Sequence, residues 1–80
     1  MTTLVLARLS RADLHRYRVA DTKVDVAKLM PQVFGAQGIE DIYIRWYELR
    51  GEFAETYGLP EDGQWEIALS TGAVIRGVGA

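Results

Sequence analysis

Eighty residues, 49% of them hydrophobic, with a formal net charge of −2 fit a single small domain, 1–80, with no mark of a second core or a linker. The absence of cysteine excludes disulfide stapling and thiolate metal sites, so a homo-oligomer or a partner surface is the expected source of further burial. No apolar run nears the roughly 20 residues that span a bilayer, and "MTTLVLARLSRADLHR" lacks a signal-peptide pattern, so a cytoplasmic location with no membrane partner is expected.

Charge is unevenly spread along the chain. Residues 1–39 carry a net charge of +3 and residues 40–66 a net charge of −6.

In chain order, residues 2–9, "TTLVLARL", are apolar and partly β-branched and predict a strand. Residues 15–20, "HRYRVA", alternate, with Tyr17 and Val19 on one side and Arg16 and Arg18 on the other; they predict a second, half-exposed strand. The short polar link "SRAD" makes these two a β-hairpin. In "DTKVDVAKLMPQVFG", Thr22 and Asp25 have capping-box spacing, and the apolar positions share one side of a helix. Pro31 predicts a kink or restart there, and Gly35 an end.

"GIEDIYIRWYELRGEFAETYGLP", residues 38–60, has the composition of a strand. As a strand, however, it leaves charge on both faces. As a helix, Ile39, Ile42, Trp46, Leu49, Phe53 and Tyr57 recur every three or four residues, while Asp41, Arg45, Glu48, Glu52 and Glu55 fall opposite. Gly38 as N-cap, Gly58 as a left-handed C-cap and Pro60 as a stop agree with a helix over 42–49 and beyond. "PEDG" is then a turn, "QWEIALS" a strand with Trp65, Ile67 and Leu69 inward, "STG" a hairpin loop with Gly72 left-handed, and "AVIRGV" the last strand. The predicted fold is α+β, ββααββ, with an antiparallel sheet covered on one face by a helical pair.

Two resemblances bear on this reading. The hairpin, the helix with "VAKLMPQV" and the segment "AETYGLPEDGQWEIAL" are similar in order to the ubiquitin-like β-grasp fold, which would require "IYIRWYEL" to be a strand and would imply protein binding. "GAQG", Gly35 to Gly38, resembles in spacing the GxxG loop of KH domains, which clamps a nucleic-acid backbone. It lacks any lysine or arginine, and Glu40 and Asp41 follow, so a helix connector is the plainer reading.

No catalytic, cofactor or metal constellation stands out. His15 is the single histidine and has no second nitrogen ligand, and Ser10 and Ser70 lie in turn contexts without a base. Glu48, Glu52 and Glu55 project from one helix face as like-charge neighbours that helix stability alone does not favour, which suggests an acidic surface for a basic protein partner. Tyr43, Tyr47 and Arg50 add aromatic and guanidinium surface of the type enriched in binding hot spots. The expectation is a small non-catalytic protein-binding module, an adaptor, inhibitor or dimeric interaction protein, with Tyr43, Tyr47, Glu48, Arg50, Glu52 and Glu55 as partner-binding residues. The alternative is a nucleic-acid-binding protein using Arg16, Tyr17 and Arg18 on a basic N-terminal β-ribbon.

Overall fold

The computed structural model describes residues 2–78, in the order β1 (Thr2–Arg8), α1 (Arg11–Leu29), α2 (Pro31–Tyr57), β2 (Glu66–Ile67) and β3 (Ala73–Val78). An antiparallel sheet with β3 between β1 and β2, together with a helical hairpin, makes the α+β architecture expected from the sequence. The element order itself is βααββ, not ββααββ, because residues 15–20 are helical.

The reason lies at Ser10. Its backbone is extended and its side chain accepts a hydrogen bond from the Asp13 N–H at 3.2 Å, so helix α1 starts here instead of at Thr22. From that start Tyr17, Ala20, Val24 and Ala27 recur at three- and four-residue spacing and supply the buried or half-buried stripe. The Tyr17/Val19 alternation was two points of this longer period, and Val19 remains 43% exposed.

Pro31 restarts the chain as foreseen. Met30 closes α1 through its N–H to the Val26 carbonyl at 2.8 Å, and Pro31 then occupies the first turn of α2, where a missing N–H costs nothing. Gly35 breaks that helix after its first turn with φ 71° and ψ 172°, a conformation open to glycine. Gly38 lies inside the helix and is not its N-cap. "GAQG" is thus a kinked helical segment and not a connector loop between the two helices. Residues 42–49 are helical, as their period predicts, which excludes the β-grasp arrangement. At the far end Gly58 is left-handed with φ 66°, and the Leu59 N–H reaches back to the Ala54 carbonyl at 2.9 Å.

The foreseen strand over 64–70 shrinks to Glu66–Ile67. Trp65 and Ile67 point into the core as expected, but Leu69 is exposed, because residues 68–72 curl into a turn in which the Gly72 N–H meets the Ala68 carbonyl at 2.7 Å. The core joins Leu9, Ile67 and Val74 of the sheet region to Tyr17, Leu49 and Phe53 of the helices, with Leu59 and Trp65 closing it from the intervening loop. The register of β1 on β3 is irregular between Val5 and Ala7, so both Leu6 and Ala7 pack against this core. Among the described residues, no helix is long and apolar enough to cross a membrane.

Candidate functional site

The helical hairpin has two long sides, and the residues on them do different work. On the side toward the sheet, α2 presents Arg50. Its guanidinium carbon lies 4.0 Å from the ring centre of Trp65 and 5.0 Å from that of Trp46. Nη2 donates to the carbonyls of Trp65 at 3.0 Å and Gly63 at 3.3 Å, and Nη1 to the Tyr17 hydroxyl at 3.5 Å. A guanidinium is suited to such a place, since its flat face stacks on indole while its edge donates in the ring plane. Burial raises the pKa of the Tyr17 hydroxyl, against the opposing pull of Arg50. Trp65 is itself fixed through its Nε1 to the Pro60 carbonyl at 3.0 Å.

A polar clasp joins the start of α1 to the end of α2. The Ser10 N–H donates to the Tyr57 hydroxyl at 3.0 Å, and that hydroxyl donates to Asp13 Oδ2 at 2.6 Å. Arg16 then bridges Asp13 at 3.2 Å and Glu52 at 2.7 Å. The Tyr57 hydrogen bond is the main cause that holds the Asp13 carboxyl below its ordinary value, with Ser10 and Arg16 adding to it and burial opposing. Glu52, with Asp13 behind it, raises Arg16 further above its usual range, against the desolvation that lowers it. These contacts tie the start of α1 to the end of α2.

The other long side is open. Between α1 and α2 runs a groove of about 500 Å³, with Val19, Ile42 and Leu49 in its floor. Lys23 stands on the α1 rim, and Arg45 and Glu48 on the α2 rim. The Arg16–Glu52 bridge closes the end nearest the polar clasp. Among the described residues Lys23, Arg45 and Glu48 take part in no ion pair within 4.0 Å. A concave apolar strip edged by free charges of both signs is suited to an amphipathic segment. Among the described residues no group of three or more side chains is placed to hold a metal ion.

The residues expected from the sequence fall into three places. Glu48 and Glu52 line the groove, and Glu55 is exposed on the same helix. Tyr43 is half-buried and Tyr47 is 64% exposed, its ring set edge-on against Trp46 at 5.0 Å. These tyrosines lie roughly 100° or more around α2 from Glu48, so the acidic and aromatic surfaces are separate faces. Arg50 is held internally, as described above. Nor do Arg16, Tyr17 and Arg18 form a ribbon. Tyr17 is buried, Arg16 holds Glu52, and Arg18 donates through Nε and Nη2 to the Leu69 carbonyl, with Nε at 3.0 Å. The β-ribbon expected to bear them is corrected to helix, in which residues two apart diverge by about 200°.

Sequence reasoning missed the contribution of α1 to the groove. His15, Val19 and Lys23 are spaced by four and share one stripe of that helix. The signal was the Ser10-x-x-Asp13 spacing, the same start pattern that was read at Thr22 and Asp25. No protein-family model, curated protein or solved structure matches this chain.

Proposed function

We propose that this protein is a small non-catalytic protein-binding module whose docking site is the groove between α1 and α2. The observation that carries this reading is the groove itself: an apolar floor of Val19, Ile42 and Leu49 beneath Lys23, Arg45 and Glu48, whose charges have no partner in an ion pair among the described residues. A third helix laid along it would bury Val19 and meet those charges, extending the helical hairpin to three helices. The fit is to an amphipathic helix with its apolar face toward the groove and both basic and acidic residues at its margins. Glu48 takes the partner-binding role expected from the sequence, joined by Val19, Lys23 and Arg45, while Glu52 is tied to Arg16 and closes the end of the groove. Tyr43, Tyr47 and Glu55 lie on α2 outside this groove.

The test is affinity capture of the tagged protein from its native cells, run beside a Val19→Asp variant. Val19 is exposed, so this change leaves the fold intact while placing a charge on the groove floor. A partner retained at a saturating ratio by the parent and lost by the variant is the expected outcome. Failure to capture any protein, or capture that Val19→Asp leaves unchanged, rejects the groove as the docking site.

A further inference from the structure

Strand β1 has a bare edge and, in its first half, two bare faces. It pairs with β3 alone, and no side chain or loop among the described residues donates to or accepts from its other edge. Leu4 is 49% exposed and Val5 is 51% exposed. Consecutive strand residues point to opposite faces. Leu4 pairs with Arg76 and so shares the face of Val74 toward the helices, though beyond their reach; Val5 pairs with Ile75 on the back of the sheet. A helix or loop laid on the sheet would cover one of these residues and leave the other in water. A strand added in the plane of the sheet would flank both and satisfy the open backbone groups together.

We propose that this strand is a second copy of the same chain, paired antiparallel to β1 about a two-fold axis. Three features favour a copy over a strand from a different protein. Thr2–Val5 carries no charge, so that in antiparallel self-pairing centred on Leu4, with Leu4 opposite its own copy and Thr3 opposite Val5, no like charges meet, and Arg8 stays outside the pairing on each side. The irregularity after Val5 limits the straight part of the edge to this segment. Finally, the resulting six-stranded sheet ends at each side in β2, an edge only two residues long with Glu66 exposed, so association closes at the dimer. The groove-lining residues lie on α1 and α2 and none on β1, so a dimer through β1 carries two such grooves.

The test is analytical ultracentrifugation of the full chain up to about 1 mM, the upper end of weak association. The parent protein is expected to sediment as a dimer. A Val5→Lys variant is expected to sediment as a monomer, or with a dissociation constant raised about tenfold or more, with unchanged far-UV circular dichroism. Leu4→Lys is the second variant, on the opposite face, and is expected to do the same. Val19→Asp should leave the dimer intact. A monomeric parent at the highest concentration overturns the proposal. So does a dimer that survives both lysine variants, or one that dissociates on Val19→Asp. Because Val19→Asp alone addresses the groove, loss of either proposal leaves the other standing.

Discussion

The two long sides of the helical hairpin are made from the same two helices and yet differ in nearly every physical respect. Toward the sheet, the cations are committed: Arg50 is stacked between two indoles and bonded to two carbonyls, and Arg18 is bonded to the Leu69 carbonyl. Along the groove, beyond the Arg16–Glu52 bridge that closes one end, Lys23 and Arg45 take part in no ion pair among the described residues, and Val19 stays exposed beside them. A charge that is stacked and hydrogen-bonded resists displacement, since removing it strands its partners, whereas a free charge over an apolar floor is available to a newcomer. The two sides therefore divide stability from recognition, and substitutions should separate accordingly.

The largest effect should come from Phe53, 1% exposed and in ring contact with both Tyr17 and Tyr57. Phe53→Ala is expected to cost about 3–5 kcal/mol in urea unfolding, enough to unfold much of a domain this small. By the same measurement Val19→Asp should stay within about 0.5 kcal/mol of the parent. Comparable costs for the two would erase the division between the sides.

Arg50 comes next. Arg50→Ala is expected to cost about 1–3 kcal/mol through lost stacking and lost hydrogen bonds, with a change in tryptophan fluorescence, and Arg50→Lys should recover only part of it because an ammonium does not stack on indole. If Arg50→Ala folds as stably as the parent and instead loses the captured partner, Arg50 belongs to the recognition side after all.

The polar clasp gives a smaller cost than Phe53 or Arg50, and one that depends on pH. Asp13 is held below its ordinary 3.8, chiefly by the Tyr57 hydroxyl. A carboxyl lowered in the native state contributes stability that is present above its unfolded value and is lost as the pH falls through the native one. Tyr57→Phe should cost about 1 kcal/mol at neutral pH. It should also flatten the acid limb of a plot of stability against pH. An acid limb identical in the two proteins would mean that the hydroxyl does not set the Asp13 ionisation.

Much of the fold was legible in the sequence where one local force dominated. The period of Ile42, Trp46, Leu49 and Phe53 outweighed the strand-like composition of "IYIRWY", because burying one continuous stripe is worth more than intrinsic propensity. Gly58 and Gly72 were placed as left-handed residues by turn chemistry alone, and both have positive φ. The helix in place of the foreseen second strand shows the opposite case. "HRYRVA" is too short to tell period two from period 3.6, and the deciding residue, Ser10, lay outside it. With that helix went the first half of the groove, so the site was legible only from its α2 side.

By itself the sequence determined an α+β domain, the helical period of 42–49 and beyond, the restart at Pro31 and the glycine turns, since each rests on contacts a few residues apart. Tertiary structure decided what the charges are for. Whether an arginine is spent or free depends on what stands across from it, and those partners lie 36 residues away for Arg16 and 51 for Arg18. Only the folded chain brings Glu52 to Arg16 and the Leu69 carbonyl to Arg18 while leaving Lys23 and Arg45 at an open groove.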